Sequence, residues 1–294
     1  MTARWEPQLE PSVASGAEQR QQYVVDSEAK LAGTLRSLRE TWSYRDVMLA
    51  FASRSIRVKY KQAAIGLLWV VLQPLSATLL FTLVVGKFAH VSSEHAPYLL
   101  FALCGMTAWQ FLSEALTTSA DSVVADSALL RKVYFPREIL PVAAIVAAVV
   151  DLAPSIVILI IFELAFGYWP TVQWLALPLV PIALIAGALA YGLLPAALNV
   201  YYRDVRYVLP FLMQLGLFLS PVIYSLSSLS RPVRDAFIIF NPAACAIDGF
   251  RRILLHHEWP QWLLSAASLG WCLLLALVTY TIFKKLERTF SDRA

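Results

Sequence analysis

The sequence predicts an all-α integral membrane protein: six transmembrane helices, an N-terminal interfacial amphipathic helix, and short re-entrant helices between spans five and six. Three observations predict it. Apolar side chains make up 59% of the 294 residues and charged ones only 15%, against about 45–50% and about 25% in soluble domains. The apolar residues gather in runs long enough to cross a hydrocarbon core roughly 30 Å thick. Lysine and arginine fall unevenly on the pieces that link those runs. The excess apolar surface has to face lipid, which leaves no length for a large soluble domain.

The chain divides into a polar tail, 1–42, and a membrane domain, 43–294. The tail mixes both charges with Pro7, Pro11, Gly16 and a glutamine-rich patch. No apolar core follows its start, so it does not read as a secretory signal; residues 26–41 have the pattern of a short helix. Residues 43–62 read as the interfacial helix. Arg54, Arg57 and Lys61 share one face at spacing i, i+3, i+7, with Val47, Phe51 and Val58 beside them and Leu49, Ile56 and Tyr60 on the other flank. That pattern suits a helix wedged between headgroups and protein, or a solvated cytoplasmic helix.

The predicted spans are about 64–86, 97–118, 139–166, 174–199, 208–226 and 262–283. The first carries Gln73-Pro74 near its middle, a kink that membrane helices tolerate when neighbours satisfy the freed carbonyl. Orientation follows from the basic residues. With the N-terminus inside, only Lys87, Arg231, Arg234, Arg251 and Arg252 of the 24 lysines and arginines fall outside, and this bias places both termini in the cytoplasm.

Two linking segments stand out. The island 126–141, DSALLRKVYFPREILP, is charged, aromatic and stopped by proline. Each charge near the bilayer centre would cost roughly 3 kcal/mol, so the island lies outside the lipid. Exposed aromatics beside charges are also what a docking surface for a soluble partner needs. The outside segment 227–261 holds apolar stretches too short to span, interrupted by Asn241-Pro242. It reads as two short helices dipping into the outer leaflet, hinged there because the residue before proline is biased away from helix.

Several chemistries are missing. The eleven glycines never form a phosphate-binding loop; Gly187 and Gly192 have the spacing but are followed by Leu193 inside a span. No metal site is expected from the four histidines, nor a disulfide or zinc pattern from Cys104, Cys245 and Cys272. No catalytic constellation is visible, so the chain is not read as an enzyme in its own right. Asp151, inside the third span, is either a packing hydrogen-bonder or part of a polar conduit, and Glu114 and Glu163 read as near span ends. Trp69, Gln73, Trp109, Phe111, Phe218 and Tyr224 are candidates to line a channel, since aromatic faces with polar tips suit sugar rings; lipid-facing or packing roles are the alternative for each.

Four stretches carry a resemblance: IRVKYKQAAIGLLWVVLQPL (56–75), LLRKVYFPREILP (129–141), ALNVYYRDVRYVLPFLMQ (197–214) followed by SPVIY (220–224), and FNPAACAIDGFR (240–251). In this order, over about 45 to 290, the chain resembles the permease subunit of type-2 ABC exporters, in the branch that exports O-antigen, capsular or teichoic-acid polysaccharide. The resemblance implies a homodimer served by two copies of a separate ATPase, which would bind the ATP and magnesium, with no cofactor in this chain. It implies a bacterial inner-membrane location and a lipid-linked polysaccharide as cargo. It makes Leu130, Arg131, Lys132, Val133, Tyr134, Phe135, Pro136, Arg137 and Glu138 the island that docks on the ATPase, with Arg203 and Asp204 as a second cytoplasmic contact. Asn241, Pro242 and Arg251 would belong to an outer gate. Arg54, Arg57, Tyr60 and Lys61 would stand where the substrate is admitted, their charge attracting a pyrophosphate or only anchoring anionic headgroups. An ABC exporter of a drug or small lipid is the alternative within the class, and a secondary transporter a more distant one.

Overall fold

The computed structural model describes residues 39–61, 67–88, 96–127 and 135–287. The chain separates into two units at Ser43/Tyr44. Of the first, residues 39–43 are described, and there Ser43 Oγ donates to the Glu40 carbonyl at 2.6 Å. The account below concerns the second.

Among the described residues every regular element is helical. In chain order these are α1 (Arg45–Lys61), α2 (Leu67–Phe81), α3 (Tyr98–Ala125), α4 (Ile139–Ala165), α5 (Leu179–Tyr201), α6 (Val205–Leu219), α7 (Arg231–Phe240), α8 (Pro242–Leu254) and α9 (Trp262–Glu287). A π-helical segment, Thr82–Phe88, continues α2, and short 3-10 turns precede α5 and α7. Four stretches are long and apolar enough to cross a membrane: Tyr98–Ala125, Ile139–Ala165, Val172–Tyr201 and Trp262–Glu287. Two shorter apolar helices, Val71–Gly86 and Val205–Leu219, accompany them.

The sequence explains why α3 is central. Ala102, Gly105, Ala108, Ala115, Ser119 and Ala120 give it small side chains along its length, and small residues let neighbouring backbones approach where lipid offers no hydrophobic drive to association. It packs against α2, α4, α5, α6 and α8. By contrast α4 and α9 bury one side and leave Val150, Val157, Ile161, Leu273, Leu274 and Val278 exposed, the surface that lipid covers.

Two boundaries differ from expectation. The helix predicted over 97–118 runs on to Ala125. In its polar last third Thr117, Thr118 and Ser122 turn their hydroxyls back onto carbonyls three and four residues earlier, which satisfies them within the helix. The span predicted over 208–226 is helical only to Leu219. Ser220 precedes a proline and is extended, as the ring of Pro221 requires. The start of the first predicted span, 64–66, lies outside the described residues, and its other end passes into π-helix rather than continuing as α-helix.

The segment read as two short helices does form α7 and α8, meeting at Asn241-Pro242. Asn241 caps α8 by accepting from the backbone N–H groups of Ala243 and Ala244, at 3.0 and 3.3 Å. Pro242 sits at the first position of α8, where its missing N–H costs nothing. Gly187 of α5 makes this corner possible: a Cβ there would stand 2.4 Å from the Pro242 ring.

Candidate functional site

Two polar centres stand out among the described side chains, one around Glu114 and Asp151 inside α3 and α4, the other beside the first turn of α3. The first is the seam between α1, α3 and α4. Ala52 is the buried residue of α1, and the face that holds it also carries Lys59, seven positions on. Lys59 Nζ donates to Glu114 Oε1 of α3 at 2.9 Å and to Asp151 Oδ2 of α4 at 2.7 Å. The Tyr60 hydroxyl donates to the other oxygen of Asp151. Arg54 Nη1 donates to Asp126 Oδ1, at the end of α3, at 2.9 Å. Burial alone would lower the Lys59 pKa, but its hydrogen bonds to Asp151 and Glu114 outweigh that and hold it well above the ordinary lysine value. Burial, then the bond to Asp151, pushes Tyr60 up to about 12.

Asp151 is therefore a hydrogen-bonder between elements. Glu114 lies well inside α3, because that helix runs further than its apolar portion. Gln73 and Gln110 border the same cluster around a pocket of about 40 Å³. A larger groove, about 420 Å³, runs beside it between α1, α3 and α4, walled by Ala143, Ala144, Ala147 and Ala148. Four carboxylates line that groove, Glu114, Asp121, Asp126 and Asp151, against Arg54 and Lys59. All three residues of the basic face of α1, Arg54, Arg57 and Lys61, are exposed, and Arg54 also reaches Asp126 at the edge of the seam. Lys59 escaped the sequence reading because its partners stand in separate helices more than fifty residues away.

The island meets the bundle through its second half. Leu130, Arg131, Lys132, Val133 and Tyr134 lie outside the described residues. Phe135, Pro136 and Glu138 are buried, which corrects the expectation that these three side chains offer surface. The Phe135 ring packs 5.4 Å from that of Phe51 and joins a cluster with Val123, Val200 and Phe283. Glu138 accepts from the Tyr280 hydroxyl at 3.1 Å and from Lys284 Nζ at 2.7 Å. Arg137 is half-buried; its backbone N–H and its Nη1 donate to the Glu287 carboxylate and carbonyl. These residues fasten the island to the end of α9. Arg203 and Asp204 are exposed on the turn between α5 and α6.

At the second centre, Arg251 of α8 is only 4% exposed. Its guanidinium donates to the carbonyls of Phe101, Val222 and Tyr224 at 2.8–3.3 Å and stands 3.4 Å over the Phe101 ring. Asn241 Nδ2 donates to Ser220 Oγ at 2.8 Å, and Pro242 is buried against Gly187. Asn241 and Pro242 thus hold the α7–α8 corner in place, while Arg251 ties the other end of α8 to α3 and to the chain that leaves α6. The predicted channel set divides. Trp69, Gln73 and Phe218 are exposed and Tyr224 is half-buried. Trp109 and Phe111 belong to the core, a correction with a packing cause: the Trp109 ring fills the space beside Gly216, where a Cβ would come within 2.6 Å of it.

No group of three or more His, Cys, Asp or Glu able to hold a metal occurs among the described residues. The three cysteines are free and buried.

A permease protein of an O-antigen export system from Myxococcus xanthus is 26% identical over 261 residues, covering 88% of this chain and 99% of the relative. One from Klebsiella pneumoniae is 23% identical, with 84% and 94% covered. A polysialic acid transport protein from Escherichia coli is 22% identical, with 80% and 90% covered. The pattern described as ABC-2 type transporter matches residues 47–255, a stretch that takes in both polar centres, and the chain belongs to that family.

Proposed function

We propose that this chain is the transmembrane subunit of an ATP-driven exporter that carries a lipid-linked, O-antigen-like polysaccharide from the cytoplasmic side across the bacterial inner membrane. The observation that carries the reading is near-complete coverage of relatives named for O-antigen export and polysialic acid transport. A separate ATPase supplies the energy and binds ATP and magnesium. The stretch of the island before Phe135, residues 130–134, and the exposed Arg203-Asp204 turn are where it docks, the island being fastened to α9 through Glu138 and Lys284.

Six crossings, with both termini cytoplasmic, fit the four long helices and the two shorter apolar ones. The basic residues support that orientation. Depth supports a re-entrant α7–α8 hairpin. Tyr191, which donates to the Phe240 carbonyl at 2.7 Å, lies about 18 Å along α5 from Leu179 at 1.5 Å per residue. Gly187, against Pro242, lies about 12 Å along it. Two copies form the pathway: α6 leaves Tyr207, Phe211, Leu215 and Phe218 exposed along its length, a face that a second copy would cover. The acidic lining of the seam turns an anionic headgroup away from the groove and toward Arg57 and Lys61, on the open side of α1.

The test is to purify the tagged protein in mild detergent and identify what accompanies it. A stoichiometric ATPase with a phosphate-binding loop is expected, together with accumulation of lipid-linked glycan inside cells that lack this chain. A folded preparation without an ATPase, or a deletion that loses drug efflux and keeps its surface glycan, overturns the reading.

A further inference from the structure

Three polar side chains of α9, Tyr280, Lys284 and Glu287, recur at i, i+4 and i+7 and so share one face of the helix. All three meet the second half of the island. The Tyr280 hydroxyl and Lys284 Nζ donate to the two oxygens of Glu138, at 3.1 and 2.7 Å. Lys284 Nζ also donates to Glu287 Oε2 at 2.9 Å, and Glu287 Oε1 accepts from the backbone N–H of Arg137 at 3.2 Å. The same turn of α9 receives a second segment. The Tyr201 hydroxyl donates to the Leu286 carbonyl at 2.8 Å, next to the Glu287 carbonyl that accepts from Arg137 Nη1 at 3.0 Å. Tyr201 closes α5, just before the exposed Arg203-Asp204 turn. We infer that this turn of α9 is a yoke: Tyr280, Lys284 and Glu287 are positioning residues that make the island and the α5–α6 turn move as one body. The inference rests on the exporter reading, in which an ATPase pushes on those two segments.

Packing alone would not join the two segments in this way. Phe135, Ala197, Val200 and Phe283 form one apolar cluster beside the polar contacts, with Tyr201 and Leu286 against it. Apolar contact is non-directional, so segments held only by it could slip past α9. Hydrogen bonds fix angle and register. All four carboxylate oxygens of Glu138 and Glu287 are engaged. The Glu138 side chain is 1% exposed, so releasing Lys284 would strand a buried charge. What the network adds to the packing is a fixed geometry, the property that carries a displacement from one element to the next. A push on either segment therefore reaches α9 and α5 together.

Two variants test this without stranding a buried charge. Glu287→Met cuts the island's side-chain tie and leaves Lys284 on Glu138; Tyr201→Phe removes one hydroxyl from the second tie. In cells that carry either variant in place of the native chain, surface glycan should fall about fivefold or more. The purified complex with its ATPase should keep its melting temperature, and its KM and kcat for ATP should stay within about twofold of wild type, the mark of a push that is made and not passed on. Thr281→Ala, whose hydroxyl bonds within its own helix, should export normally. Normal export by either variant, or ATP hydrolysis that falls in step with export, overturns the inference. Spin labels at Arg203 and Lys285, both exposed, read the yoke directly in the full chain in nanodiscs. Their distance distribution should widen in Tyr201→Phe, and an unchanged width also overturns the inference. A chain that brings down no ATPase overturns the exporter reading instead, so the two fail separately.

Discussion

At the residue scale, the seam turns on one cation. Lys59 stands between Glu114 and Asp151 with its side chain 44% exposed, so its value lies between that of a surface pair and a buried one. Lys59→Met should lower stability by about 1–2 kcal/mol. Adding Asp151→Asn should recover part of the loss, because the variant no longer leaves two carboxylates facing each other, and a thermal-melt double-mutant cycle would measure that coupling. The Lys59 pKa is raised on folding. Its contribution is therefore complete below the unfolded lysine value of about 10.4 and is lost only as pH climbs through the folded value. Between about pH 6 and 9 the melting difference between Lys59→Met and wild type should not change through the ionisation of Lys59 itself. The Glu138–Lys284 pair is the more buried, its carboxylate side chain 1% exposed. Lys284→Met should cost about 3 kcal/mol, and Glu138→Gln in the same chain should restore much of it.

At the scale of elements, the α7–α8 corner depends on close approach. Gly187→Ala forces a methyl group against the Pro242 ring and should cost about 1–3 kcal/mol by overpacking, with increased labelling of Cys245, which is buried in α8. The same corner shows what a single sequence makes legible. Asn241-Pro242 marks a helix break through local chain chemistry, and apolar runs mark helices through composition, so these elements could be read directly. Tertiary facts could not. Phe135 sits among charges and so reads as surface, yet it turns inward to meet Phe51 and Phe283. Sequence leaves Trp109 open between lining a channel and packing, and the fold makes it the wedge beside Gly216. Lys59 does not stand out beside Arg54, Arg57 and Lys61, because a helical wheel groups the charges of one helix and shows nothing of the carboxylates in the next two. Element type is written in neighbouring residues, whereas the facing of a side chain is decided by residues far along the chain.

At the scale of the molecule, the proposed topology makes its own prediction. A cysteine at Glu258 should react with an impermeant maleimide in intact cells, and one at Arg203 only after the membrane is opened; the native cysteines are all buried and should contribute little background. Reaction of both from the same side would reject the six-crossing arrangement. The grip of Arg251 has a mechanical meaning as well. Val222 and Tyr224 lie in the chain that leaves α6, Phe101 is in the first turn of α3, and the guanidinium in α8 holds all three carbonyls. That side chain is a rivet through three plates: α6 cannot slide along its axis without dragging the hairpin with it or shearing the rivet.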